Sequence, residues 1–273
     1  MLIVGELINA SRKSIQPLIK EKDAQGIAAI AKAQVECGAD YIDVNAGVFV
    51  EKEPEYLRWL VETVQQAVDA PCCIDSPNPK ALEAALEVHK GTPLINSISL
   101  EADRYDAVLS VVAGTDLKVI ALCVSEGEMP HTKDERMEIA DKLVNGLAQN
   151  GVKKDNIFVD PLAQPIATND ASGVAFLDAL QGVHEAFHEV HTICGLSNVS
   201  YGVPNRKFTN RTFMAMAITK GLDGAIVDPR DKRMMATIIA AETLIGRDRF
   251  CEKYLNAHRA KLFDFKTPGA TAK

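Results

Sequence analysis

The chain has 273 residues, 47% hydrophobic and 25% charged, the balance of a soluble globular protein with material for one large core. Its net charge of −7 is spread along the chain without a basic block, which excludes the electrostatic footprint of a nucleic-acid binder. No apolar run approaches the roughly 20 residues that cross a bilayer. The opening MLIVGELINASRK lacks the charged and apolar regions of a signal peptide, and the six cysteines show no CxxC. A cytoplasmic chain with reduced thiols and no membrane partner is expected.

Taken in chain order, short apolar runs alternate with amphipathic segments. LIVGE (2–6) is followed by a helical pattern near 24–38, YIDVN (41–45) by 54–69, CCIDS (72–76) by 79–89 and PLINS (93–97) by 101–113. KVIALCV (118–124) precedes 133–150, NIFVD (156–160) precedes 172–188, HTICGLSN (191–198) precedes 206–220, and GAIVD (224–228) precedes 231–245. Asn78 before Pro79 reads as a helix N-cap, and Thr132 with Glu135 has capping-box spacing. Gly38, Gly151 and Gly221 fall where helices end.

Apolar strands separated by helices imply a parallel sheet covered by helices. Eight such units match the size of a TIM barrel. An open doubly wound sheet would instead place a glycine-rich phosphate turn after an early strand, and GELINAS is not GxGxxG. The expected fold is α/β, a (β/α)8 TIM barrel forming a single domain over 1–258, with a tail over 259–273.

Barrel active sites gather at the C-terminal ends of the strands. Those ends carry Glu6 and Asn9, Asp43 and Asn45, Asp75, Asn96, Ser125 and Glu126, Asp160, Asn198, and Asp228. Asp and Asn are common at such places because they stabilise turns and cap helices. Asp75, Asn96 and Asp160 are not needed for that purpose. Asn78 is the better cap after Asp75, Ser99 lies nearer the next helix than Asn96, and Asp160 is followed by a long proline-containing loop.

Two carboxylates and an amide suit a ring edge with mixed donors and acceptors. A carboxylate accepts two parallel bonds from an amidine-like N–H pair, and an amide both donates and accepts. A pterin presents that pattern, as does a guanine-like ring. HExxH, GxSxG and clustered metal ligands are absent from the sequence, so no metal is expected on the chain. His184 and His188 have metal-compatible spacing, but they fall at the barrel end away from the mouth. Cys72 and Cys73 should face opposite sides of their strand as core residues.

The motifs GELIN (5–9), DVNAG (43–47), CIDSPN (73–78), INS (95–97), VDPL (159–162), GLSNVS (195–200), NR (205–206) and NRTFMAMA (210–217) together resemble the pterin-binding methyltransferases. The nearest pattern is that of methyltetrahydrofolate:corrinoid/iron–sulfur protein methyltransferases, over residues 1 to about 258. The resemblance implies a homodimer that binds tetrahydrofolate or 5-methyltetrahydrofolate and works with a corrinoid (cobalamin) carried by a partner protein or supplied free. It implies that Asp75, Asn96 and Asp160 hold the pterin ring, with Gly195, Ser197 and Arg206 close by. Asn198 would act beside the methyl-bearing N5, and Glu6, Asn9, Asp43 and Asn45 would support the site. Tyr201 stands where the acetogen-type pattern has an amide. Dihydropteroate synthases fit less well, because their diphosphate-binding motif is not apparent.

The resemblance implies methyl transfer between a corrinoid and N5 of tetrahydrofolate. The expected direction is from methylcorrinoid to tetrahydrofolate, in one-carbon demethylation metabolism. The alternatives are transfer from methyltetrahydrofolate to a corrinoid/iron–sulfur protein, a dihydropteroate synthase-like activity, or a non-catalytic folate-binding subunit. Arg12, Lys13 and Arg206 are expected to attract the carboxylates of the folate tail.

Overall fold

The computed structural model describes residues 1–127 and 129–265. Strands β1 (Leu2–Asn9), β2 (Tyr41–Asn45), β3 (Cys72–Asp75), β4 (Leu94–Leu100), β5 (Lys118–Ser125), β6 (Ile157–Asp160), β7 (His191–Gly195) and β8 (Gly224–Val227) pair in parallel and close into a barrel in chain order. A short helix, α1 (Gln16–Lys20), and then α2 (Ala24–Glu36) follow β1. The outer layer continues with α3 (Glu53–Ala67), α4 (Pro79–Leu86), α5 (Ala102–Val112), α6 (Lys133–Gln149), α7 (Ser172–Ala186), α8 (Arg206–Thr219) and α9 (Lys232–Leu244). This is the expected (β/α)8 architecture. A further helix, α10 (Glu252–Arg259), crosses the boundary expected at 258, and residues 266–273 of the expected tail lie outside the described residues.

The strands are apolar on both faces because both faces are covered. Outward residues such as Ile42, Val44, Cys72, Ile74 and Ile95 pack against Leu57, Leu60 and Val61 of α3 and Leu82 of α4. Inward residues Val4, Tyr41, Cys73, Leu94, Ile120, Phe158 and Ile193 form a separate plug inside the barrel, with Ile226 against it. The neighbours Cys72 and Cys73 thus face opposite layers, as period-2 alternation requires. Cys123 and Cys194 are buried as well, whereas Cys251 is exposed beyond the end of α9. Burial pushes the four buried thiols well above their usual range.

The expected helix signals are used. Thr132 and Glu135 form a reciprocal capping box on α6, and Asn78 accepts from the Lys80 amide at the start of α4. Gly221 ends α8 with φ +104°, and a Cβ there would lie 2.5 Å from Cγ of His184. The glycine is needed both for the left-handed turn and for room. His184 is therefore packed over a turn at the barrel end opposite the mouth.

Three strand ends differ from the sequence reading by more than a residue: β1 runs on to Asn9 and β4 to Leu100, whereas β7 falls short. β7 stops at Gly195, and Leu196–Ser200 form a 3-10 turn. Ser197, Asn198 and Ser200 belong to the residues that compete with the sheet ladder through local bonds. Ser200 Oγ indeed donates to the Ser197 carbonyl at 3.2 Å. A second 3-10 segment, Gly47–Lys52, follows β2. Asn198 is thus carried by a turn above the strand end.

At the closed end of the barrel, His191 stacks on Phe158 at a centroid distance of 4.8 Å. Its ring lies between Asp223, at 3.7 Å, and Asp155, at 3.1 Å. Asp223, the less exposed carboxylate, does most to raise the histidine pKa. A raised histidine pKa contributes stability below the unfolded value of about 6.5, and that contribution disappears as pH rises through the folded value. Because the ion pair is half-exposed, its contribution is about 0.5 kcal/mol. His191→Gln should therefore lower Tm by about 1–2 °C more at pH 6 than at pH 9. Equal losses at the two pH values in thermal denaturation would remove the ionic part of this account.

Candidate functional site

The site follows from the plug by a step of two residues along each strand. Beyond Val4, Tyr41, Cys73 and Leu94 come Glu6, Asp43, Asp75 and Asn96. Beyond Ile120, Phe158, Ile193 and Ile226 come Leu122, Asp160, Gly195 and Asp228. All of this second layer lines one cavity of about 1060 Å³ at the C-terminal end of the barrel. The same alternation that buries the apolar plug thus raises a mainly polar floor above it.

Asn45, Asp75 and Asn96 lie side by side in register across β2, β3 and β4. Asn45 Nδ2 donates to Asp75 Oδ2 at 2.9 Å and to the Asp75 carbonyl at 3.2 Å, while its Oδ1 accepts from the Gly47 amide at 3.1 Å. Asn45 is therefore the support that sets the Asp75 rotamer. Asn96 Nδ2 donates to Asp43 Oδ1 at 3.2 Å. Across the barrel, Asp160 accepts from the Leu162 amide at 2.8 Å and from the Gly195 amide at 3.3 Å. The fully buried Arg136 fixes the following loop by donating to the Pro161 carbonyl at 2.8 Å, the Thr132 carbonyl at 3.0 Å and Gln164 Oε1 at 3.2 Å.

Burial pushes Asp75 up to about 6, against the Asn45 hydrogen bond and the nearby Arg104 charge. Burial also pushes Asp160 up to about 6, against its two backbone donors. Asp43 is pushed well above the carboxylate range by burial and by the Asp75 charge. At neutral pH Asp75 and Asp160 consequently offer two ionised acceptors, with the raised Asp43 carboxyl beneath Asn96.

Glu6 Oε1 accepts from Arg12 at 2.6 Å, and burial raises its pKa more than Arg12 lowers it. Arg12, expected to attract a ligand carboxylate, lines the cavity with part of its charge met by Glu6. Asn9 Oδ1 accepts from the Ser11 amide at 2.9 Å and the Ser11 hydroxyl at 2.7 Å, which holds the turn after β1. Lys13 is exposed and outside the cavity wall.

Asn198 is exposed at the mouth, and among the described residues its side chain has no hydrogen-bond partner. Its turn is braced by Arg206, which donates to the Ser197 carbonyl at 2.6 Å and to Ser200 Oγ at 2.9 Å. Gly195 lies beneath it, where a Cβ would meet Asn198 Nδ2 at an ordinary contact distance of 3.5 Å. Ser197 lines the same wall.

Sequence reasoning missed Arg104, Lys207 and Asn210, which also line the cavity. Arg104 reaches back from α5 to donate to the Ser97 carbonyl at 3.2 Å and Ser97 Oγ at 3.0 Å. Lys207 and Asn210 sit on the first turns of α8, where helical spacing from Arg206 was the available signal. Among the described residues, no group of three or more His, Cys, Asp and Glu side chains is placed to hold a metal ion. No described helix is long and apolar enough to cross a membrane.

A closed parallel barrel with this polar floor defines a class of ring-binding enzyme, and the chain belongs to the pterin binding enzyme family, whose model matches residues 5–228. Within it, the chain is 36% identical over 261 residues to the methylcorrinoid:tetrahydrofolate methyltransferase of Eubacterium limosum, covering 95% of this chain and 96% of that protein. It is 29% identical over 240 residues to the methionine synthase of Mycobacterium tuberculosis, spanning 83% of this chain but 20% of that larger protein. The fold is shared with dihydropteroate synthases. That of Coxiella burnetii superposes with a TM-score of 0.73 at 17% identity, covering 90% of this chain and 94% of that one. That of Xanthomonas albilineans gives 0.69 at 19%, covering 91% and 92%.

Proposed function

We propose that the chain is a methyltransferase that moves a methyl group between a corrinoid, carried by a partner protein, and N5 of tetrahydrofolate, in the direction from methylcorrinoid to tetrahydrofolate. The observation that carries this reading is the floor of Asp75, Asn96 and Asp160 with the unpartnered amide of Asn198 above it. The end-to-end similarity to a methylcorrinoid:tetrahydrofolate methyltransferase supports it.

In this reading the ionised carboxylates accept from the 2-amino and ring N–H groups of the pterin. Asn96, its nitrogen occupied by Asp43, presents its oxygen to a ring donor. The corrinoid supplies the methyl carrier; the protein supplies binding, orientation and electrostatics. Asn198 accepts from N5–H⁺ or donates to neutral N5, so one side chain serves both protonation states. Exposure of Asn198 and of Tyr201, which is 68% exposed, leaves the mouth open to a bulky carrier. The chain works in the cytoplasm as a homodimer, with the barrel domain ending near 258.

The test is direct. The protein is mixed with tetrahydrofolate and methylcobalamin while the corrinoid spectrum and 5-methyltetrahydrofolate are followed. Formation of both products is expected. Tight pterin binding without methyl transfer in either direction would instead mark a folate-binding subunit.

A further inference from the structure

The pterin reading fixes where the rest of a folate must go, and the inference drawn here rests on that reading. In tetrahydrofolate, the carbon bearing the aminobenzoyl-glutamate tail is bonded directly to N5. A pterin with N5 beside Asn198 therefore sends its tail over the loop that carries Asn198 and into the start of α8. The Tyr201 amide donates to the Asn198 carbonyl at 3.0 Å, so the tyrosine is the next rim residue on that route.

The charges around the mouth are unevenly compensated. Arg12 is tied to Glu6 at 2.6 Å, and Arg230 grips Asp228 at 3.0 and 3.1 Å. Arg211 holds Asp231 through contacts of 2.9 and 2.8 Å. Lys207, with a side chain 76% exposed, reaches that already occupied Asp231 only at 4.0 Å. Arg206 donates to neutral oxygens, and among the described residues it has no carboxylate within salt-bridge distance. Two adjacent cations thus face solvent at one point of an otherwise neutralised rim.

Two further groups suit the tail. The Tyr201 ring is exposed and lies 5.9 Å from the Arg206 guanidinium, which leaves an aromatic face for a second ring. Asn210 Oδ1, on the same cavity wall, is buried without a hydrogen-bond partner. A buried acceptor left unpaired is costly and marks a place for a ligand donor. The tail has such donors in its anilino and amide N–H groups.

We propose that Tyr201, Arg206, Lys207 and Asn210 form a tail subsite that selects folates bearing several γ-linked glutamates. Tyr201 packs on the aminobenzoyl ring, Asn210 accepts an N–H, and the two cations meet the glutamyl carboxylates.

The test compares dissociation constants of 5-methyltetrahydrofolate with one and with four glutamates, and of tail-free 5,6-dimethyltetrahydropterin, using the full chain. At low salt the tetraglutamate should bind about tenfold tighter than the monoglutamate, a gap that shrinks at 0.5 M salt, where the Debye length falls to about 4 Å. Lys207→Glu should close most of the gap. Tyr201→Ala should weaken both folates about threefold relative to the pterin. Equal affinity of the two folates in the unaltered protein overturns the subsite but leaves the pterin reading standing. So does an equal loss for all three ligands in Lys207→Glu. Failure of the tail-free pterin and of both folates to bind overturns the pterin reading, and the subsite with it.

Discussion

Replacing Asp75 by Asn is expected to weaken 5-methyltetrahydrofolate binding about 100-fold while leaving the fold at least as stable. An ionised carboxylate accepting two parallel N–H bonds contributes more than a neutral amide of the same shape, by roughly 3 kcal/mol for the pair. The amide can accept through only one oxygen, and its NH2 group opposes a ring donor. Stability moves the other way. The folded pKa of Asp75, about 6, lies above its ordinary 3.8, so ionising it in place costs the fold stability as pH rises through that window. Asn removes that cost while remaining within reach of Asn45. The same pKa predicts that affinity of the unaltered protein falls as pH drops through about 6, and that Asp75→Asn flattens this dependence. Calorimetric titration at pH 5.5 and 7.5, paired with thermal melts, measures all of this. An unaltered Kd in Asp75→Asn would reject the ring-clamp role.

For Asn198→Ala, kcat should fall 10- to 100-fold, with methyltetrahydrofolate binding weakened less. A hydrogen bond that is stronger in the transition state than in the ground state supplies about 1–3 kcal/mol of barrier lowering. The side chain is exposed and has no protein partner among the described residues, so Tm should hardly change. That separation makes single-turnover kinetics decisive. Unchanged turnover would sink the role assigned to Asn198, and a large loss of Tm would show the turn itself to have collapsed.

Much of the barrel could be read from the chain because its signals are short-range. Strand runs such as CCID and IFVD, the Thr132–Glu135 box and the helix-ending Gly221 each act within a few residues, and each is found where expected. The gathering of Asp75, Asn96 and Asp160 was also legible, since period-2 alternation places them one layer above Cys73, Leu94 and Phe158. What escaped was set by distance or by brevity. The 3-10 turn of Leu196–Ser200 and helix α1 are too short to show a period, so Asn198 was assigned to a strand. The bond from Arg104 to Ser97 and the pairing of Arg12 with Glu6 depend on long side chains folding back across a turn. Nothing in residue spacing distinguishes such a cation from one that stays largely in solvent, as Lys207 does.

The distribution of thiols has a practical side. Cys72, Cys73, Cys123 and Cys194 are sealed in the two core layers, while Cys251 is exposed just past α9, the helix whose opposite end contributes Met234 to the mouth. A 13-residue helix spans about 20 Å. A maleimide dye on Cys251, with the half-exposed Cys37 changed to Ala, would therefore sit a helix length from the chemistry. From there, energy transfer to a strongly coloured corrinoid would report the arrival and departure of the proposed carrier protein during turnover, with every residue of the mouth left as it is.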